Sequence, residues 1–106
     1  MKSGLDVVQD WGSLARKAEF RPAAMAALCG VSVRQLERFF HVRFRMPPRR
    51  WIQELRCGLA RDFISQGWSD KAVVSELKFA NSAHLCHEFK SIYRVPPQTF
   101  APRHTK

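Results

Sequence analysis

Cysteine, glycine and acidic side chains are scarce in this 106-residue chain, and each shortage excludes something. The three cysteines, Cys29, Cys57 and Cys86, are an odd number without any CxxC pair. That excludes a disulfide framework and the paired spacings of a zinc site, and fits reduced thiols in a cytoplasmic protein. The five glycines form no Gly-rich phosphate loop, and neither Gly-x-Ser-x-Gly nor His-Glu-x-x-His occurs. A chain this short also has little room for a catalytic cleft beside a substrate domain, so no enzyme, no metal and no organic cofactor are expected. No run approaches the ~18 apolar residues of a membrane span, and the opening MKSGLDVVQDWGSL lacks the apolar core of a secretory signal. Nor does any stretch alternate apolar and polar residues long enough to make a strand. Asp6, Asp10, Asp62 and Asp70 read as helix-surface or capping carboxylates.

Positive charge, by contrast, is abundant. Eighteen Lys and Arg against nine Asp and Glu give a net charge of +9. Residues 34–61 hold eight Arg against Glu37 and Glu54, a net +6, whereas residues 1–33 carry +1 and residues 62–106 carry +2. Such a patch attracts nucleic acid or an anionic membrane. A membrane-surface helix would show its aromatics on one unpartnered face, but here they recur at core spacing throughout, so nucleic acid is the better partner.

Apolar residues step by three and four along the whole chain, which predicts an all-α protein of about seven helices. Val7, Val8, Trp11, Leu14, Ala15 and Ala18 stripe a first helix that stops before Pro22. Pro22 suits the first turn of a short helix that Gly30 can end with positive φ, and Ser32 is a good N-cap for a helix burying Val33, Leu36, Phe39, Phe40 and Phe44. Two helices joined by Gly30-Val31-Ser32 spell a helix-turn-helix. Pro47 and Pro48 open a long helix to Gln66, with Trp51, Ile52, Leu55, Leu59, Ala60, Phe63 and Ile64 on one side. Beyond Gly67 the pattern repeats. Residues 23–52 laid over 71–100 pair Gly30 with Lys78, Val31 with Phe79, Leu36 with Leu85, Phe40 with Phe89, Phe44 with Tyr93, Pro48 with Pro97 and Trp51 with Phe100. This register needs one extra residue in the second turn. The expected organisation is residues 1–47 as an N-terminal helix plus the first helix-turn-helix, 48–67 as the connecting helix, and 68–106 as the second helix-turn-helix with a short C-terminal helix.

The segment LCGVSVRQLERFFHVRFRMPPRRWIQELR carries Gly30, Ser32, Leu36-x-Arg38-x-Phe40, Pro48, Trp51 and Leu55-Arg56. The segment FANSAHLCHEFKSIYRVPPQTF carries Phe79, His84, Phe89-Lys90, Tyr93, Val95-x-Pro97 and Phe100. In order and spacing, both resemble the DNA-binding domain of AraC/XylS-type transcription regulators, over nearly the whole chain. The resemblance implies two helix-turn-helix units on a shared helix, an asymmetric site bound by a monomer unless the chain is part of a larger dimeric regulator, transcription activation, RNA polymerase as a second partner, and a cytoplasmic, nucleoid-associated location. Three departures stand out: Lys78 occupies the turn position that Gly30 keeps, and Arg45 and Arg94 replace Gly before the following Pro. Each is expected to need positive φ, at a cost on the order of 1 kcal/mol.

Arg34, Arg38, His41 and Arg45 step by four, three and four, and so share a helix face. The N-terminal part of the second helix of a helix-turn-helix enters the major groove, which points to Arg34, Gln35, Glu37 and Arg38 as base readers. Arg suits guanine, Gln adenine and Glu cytosine. The second helix offers Ser82, Ala83, His84, Cys86 and His87 and is less basic, so its readout is expected to be weaker. His84 has a second reading, implied by the resemblance, as the anchor of its turn through a hydrogen bond. Ser32, His41, Arg45, Arg49, Arg50, Asn81 and Lys90 are candidate phosphate contacts, and Arg56 and Arg61 are further candidates on the long helix. Cys57 stands where the family prefers Leu and reads as packing. A connector from Pro48 to Gln66 spans about 28 Å, to be compared with the roughly 34 Å between successive major grooves on one face. The competing function is an adaptor or anti-regulator that keeps the fold, binds an acidic protein and has lost specific DNA reading.

Overall fold

A computed structural model describes residue 5 and residues 8–102. Six α-helices and a 3-10 turn make up the described residues: α1 Trp11–Lys17, α2 Pro22–Cys29, α3 Val33–Phe44, α4 Pro48–Ser65, α5 Asp70–Leu77, α6 Ser82–Tyr93, and the 3-10 turn Pro97–Phe100. No strand occurs among them. The chain divides into two compact units, one to Gln53 and one from Glu54, with the boundary inside α4.

In the first unit Asp10 starts α1, accepting from the Ser13 backbone N–H at 3.0 Å and from its hydroxyl at 2.9 Å. The helix is shorter than its apolar stripe predicts. Val8 precedes it, and Val7 and Asp6 lie outside the described residues. At the other end Glu19 and Phe20 take φ of 55° and 61°, and the Phe20 N–H closes on the Ala15 carbonyl at 2.8 Å. This left-handed exit, rather than a longer helix, turns the Phe20 ring inward, where it is buried. Met25, Ala26, Leu36 and Phe40 complete the centre of the unit. Trp11 meets Phe40 edge-on at 4.9 Å, and Phe40 and Phe44 each lie within 5.5 Å of Trp51.

The second unit repeats this construction. Val73, Leu77, Leu85 and Phe89 are its buried centre, and Phe100 lies 5.7 Å from Phe89 and 5.9 Å from Tyr93, as Trp51 lies against Phe40 and Phe44. Edge and tilted ring contacts of this kind add about 0.5–1.5 kcal/mol each beyond area burial. Cys57 is fully buried, Cys29 and Cys86 are half-buried, and none of the three is in a disulfide.

Both turns open with the same left-handed helix exit. The α2 helix ends at Gly30 with φ 69°, and the Val31 N–H returns to the Ala26 carbonyl; α5 ends at Lys78 with φ 62°, and the Phe79 N–H returns to the Val74 carbonyl. Arg45 and Arg94, which end α3 and α6, stand at 61° and 66°. Lys78, Arg45 and Arg94, each expected to need positive φ, therefore all carry left-handed strain. Lys78→Gly is expected to raise the melting temperature by a few degrees, the strain of about 1 kcal/mol being partly offset by glycine's freedom when unfolded. Gly30→Ala is expected to do the reverse, and purely through the backbone, since nothing lies within 4 Å of an added Cβ. Two thermal melts decide it; unmoved transitions in both variants would contradict the strain.

The Asp10 cap also makes the first unit acid-sensitive. The Ser13 backbone and hydroxyl bonds hold its carboxyl below the ordinary value. A depressed carboxylate stabilises the fold at pH above its unfolded value and loses that contribution as pH falls through the folded one. The melting-temperature advantage of wild type over Asp10→Asn should therefore be full at pH 6 and shrink below about pH 4. A pH-independent difference would refute the charge contribution.

Candidate nucleic-acid interface

The α3 helix is fixed before it meets any ligand. Ser32 accepts from the Gln35 N–H at 3.1 Å, and the Ser32 N–H donates to Gln35 Oε1 at 2.9 Å, a complete capping box. Leu36 and Phe40 are fully buried on the inner side. The helical period then carries Arg34, Glu37, Arg38, His41 and Arg45 outward, and all five are exposed. Four of them, Arg34, Glu37, Arg38 and His41, line one open hollow with Val42 and Pro47. Of the base readers expected on this helix, three thus stand together in solvent. Gln35 is exposed too, but its Oε1 belongs to the cap, so bidentate contact with adenine would require breaking that bond.

Val42 was not singled out by sequence. It is 77% exposed beside Arg38 and His41, and its position outside the apolar 36-40-44 stripe was the available signal; Val33, expected on the buried side, is 39% exposed at the first turn of the helix. An exposed valine among arginines supplies what charged groups cannot, an apolar contact of the kind a thymine methyl accepts.

The second helix of the second pair, α6, is held differently. Asn81 caps α6 by accepting the His84 N–H at 2.8 Å. Two residues, Phe79 and Ala80, separate the end of α5 from this cap, against Val31 alone in the first turn, so the extra residue lies where the register puts it. That residue brings one more backbone N–H, and His84 Nδ1 accepts it from Ala80 at 3.0 Å while its ring meets Phe79 edge-on. His84 and Gln35 occupy the same third position of their helices, and each spends its acceptor on its own turn. The turn-anchor reading of His84 is the one its geometry favours, with the proton on Nε2. Ser82, Ala83 and His87 are exposed and Cys86 is half-buried.

Among the phosphate candidates His41, Arg45, Arg49, Arg50 and Lys90 are exposed. The cap oxygens of Ser32 and Asn81 are occupied, which leaves a hydroxyl proton and an amide NH2 to donate outward. Arg61 is exposed, with its guanidinium over the Tyr93 ring at 5.2 Å. Arg56 does not belong with them. Only 12% of its side chain is exposed, because tertiary neighbours enclose it. Among the described residues no group of three His, Cys, Asp or Glu could hold a metal ion, and no helix is long and apolar enough to cross a membrane.

Two helix pairs, each with a short αL turn and a capped second helix whose outer face is polar, define a double helix-turn-helix protein. The sequence matches a helix-turn-helix domain family over residues 25–103. A crystal structure of a transcriptional regulator from Chromobacterium violaceum, described as an AraC-type DNA-binding domain-containing protein, is similar at 26% identity and a TM-score of 0.71, covering 83% of this chain and 82% of that one. No curated protein matches at a significant level. The chain belongs to the AraC-type helix-turn-helix family of DNA-binding transcription regulators.

Proposed function

We propose that the chain reads double-stranded DNA by sequence, each unit placing its second helix in a major-groove segment, and that it acts as a transcription activator. The observation that carries this reading is the outer face of α3. Arg34, Glu37, Arg38 and His41 stand exposed around one hollow on a helix whose inner side and first turn are both fixed. Fixed position and free donors are what direct readout needs, because a base contact made by a pre-placed side chain costs little ordering.

In this reading Arg34 and Arg38 contact guanine, Glu37 accepts from cytosine, and Ser82, Ala83, Cys86 and His87 form the thinner base-reading face of α6. Gln35 and His84 keep their turns and contribute through what remains, the Gln35 amide NH2 and the His84 Nε2–H. Ser32, His41, Arg45, Arg49, Arg50, Asn81 and Lys90 hold phosphates. Residues 1–47 and 68–106 do the reading and 48–67 connect them. The protein binds as a monomer, works in the cytoplasm at the nucleoid, and has RNA polymerase as its second partner.

Selection from a random duplex library tests this, followed by titration of the winning duplex and a scrambled one across a salt series. Two enriched short motifs mean that both units read; one motif assigns specificity to α3. The expected salt slope is near −0.9 for each phosphate neutralised. If nothing enriches and binding vanishes at physiological salt, the charge is generic attraction and the reading fails.

A further inference from the structure

Arg56 reaches from α4 to the turn of the second unit. Its guanidinium carbon lies 4.3 Å from the centre of the buried Phe79 ring. Nη1 donates toward the Lys78 carbonyl at 3.4 Å, and Nη2 faces Glu88 Oε1 on α6 at 3.7 Å. Burial holds the guanidinium below its ordinary pKa, the Glu88 carboxylate pulling the other way. The Glu88 side chain is itself only 20% exposed. The Phe79 ring in turn meets His84, whose Nδ1 takes the Ala80 N–H.

These groups surround the one place where the two helix-turn-helix repeats differ in length. The first turn is opened by a glycine and closed within itself by the Ser32–Gln35 box. The second has one more residue, a strained lysine in place of that glycine, and an asparagine cap. The second turn is likewise closed within itself, by Asn81 and His84, but its longer arc puts one more residue between the helices, and the side chain that stacks on its Phe79 from outside the turn is Arg56 of α4. Arg56 touches the Lys78 carbonyl, the ring beside the extra residue, and α6 two turns further on. A planar guanidinium can stack and donate in two directions at once, which a lysine cannot.

We propose that Arg56 is a positioning residue: it sets the angle of α6 against its turn, and so the sequence discrimination of the second reading helix, without touching DNA. This rests on the reading of α6 as a DNA-reading helix. It also inverts what the bare sequence suggests for an arginine on a basic connector, a phosphate contact.

The test uses the whole chain with Arg56→Met, Arg56→Lys and Glu88→Gln. Binding is measured well below each variant's melting temperature, on the selected duplex and on duplexes with either motif scrambled. For Arg56→Met and Glu88→Gln, discrimination at the motif read by α6 should fall about tenfold. Discrimination at the motif read by α3 should stay unchanged, and so should the salt slope on random DNA. Arg56→Lys should recover little of the loss. Backbone amide exchange at Phe79 and Ala80, measured without DNA, should quicken in both variants. A salt slope shallower by about 0.9 in Arg56→Met would make Arg56 a phosphate contact and overturn the proposal. Full discrimination in a folded variant, or unchanged exchange at Phe79 and Ala80, would overturn it as well. If wild type selects no motif, the DNA reading fails, and the exchange measurement still decides whether Arg56 holds the turn. Should Arg56→Met fail to fold, Glu88→Gln carries every arm.

Discussion

Replacing Phe40 by Ala should cost about 3–5 kcal/mol of stability, the range for deleting a fully buried phenyl ring. Phe40 has no exposed surface and touches the rings of Trp11, Phe44 and Trp51 at 4.8–5.5 Å. The cavity would open where α1, α3 and the start of α4 meet, and a unit of some fifty residues has few other side chains to collapse into it. A domain of about 100 residues shifts its melting temperature by about 4–8 °C per kcal/mol, so a drop of more than 12 °C or so is expected by circular dichroism. Phe39→Ala is the comparison. Phe39 is only half-buried and lies 5.5 Å from Trp11, and its loss should cost clearly less. Equal effects for the two rings would mean that the centre of the unit lies elsewhere.

Arg38→Ala should weaken binding to the selected duplex by roughly 10- to 100-fold, the worth of one good bidentate contact to guanine. It should also relax preference at a single base position. Charge alone cannot produce that result, and Arg43→Ala shows why. Arg43 is exposed on the same helix nine residues from Arg34, half a turn round from the hollow, with its guanidinium near the Phe44 ring. Both substitutions remove one positive charge from the helix, so generic attraction predicts equal losses on selected and random DNA. Readout predicts that Arg38→Ala loses affinity for the selected duplex alone, while Arg43→Ala changes both DNAs equally and little. Competition titrations of both variants at one salt concentration separate these outcomes.

What could be read from the sequence follows from which interactions are periodic. Burial of the aromatic set is a matter of helical spacing, so aligning the two halves was enough to pair Trp51 with Phe100, Phe40 with Phe89 and Phe44 with Tyr93, and the structure adds that each member of the first pair packs on the two rings of its own unit. The same alignment located the extra turn residue and set Lys78 against Gly30, and the family resemblance added Arg45 and Arg94; these are three of the five non-glycine residues at positive φ, because a helix must stop in a left-handed residue before so short a turn, while Glu19 and Phe20 were not foreseen. Helix one was overextended. Its apolar stripe continues past both ends, and only the Asp10 cap and the left-handed pair Glu19–Phe20 define where hydrogen bonding stops. The uses of Gln35 and His84 in their turns compete with reading bases, and the same side chain can serve either, so spacing could not choose. Arg56 was the least legible, since its neighbours Lys78, Phe79 and Glu88 are 22 to 32 residues away. A signal did exist: Arg56 falls four residues after the buried Ile52 and four before the buried Ala60, on the inward side of α4.

The three free thiols give this molecule a set of native labelling positions. Cys57, fully enclosed, is protected from maleimide or nitroxide reagents while the protein is folded. Cys29 in the first unit and Cys86 in the second are each partly open to solvent. Burial raises the Cys29 thiol, so its reactive thiolate becomes abundant only as the buffer is made more alkaline. A bulky reagent on Cys86, which belongs to the proposed base-reading face of α6, should therefore weaken DNA binding.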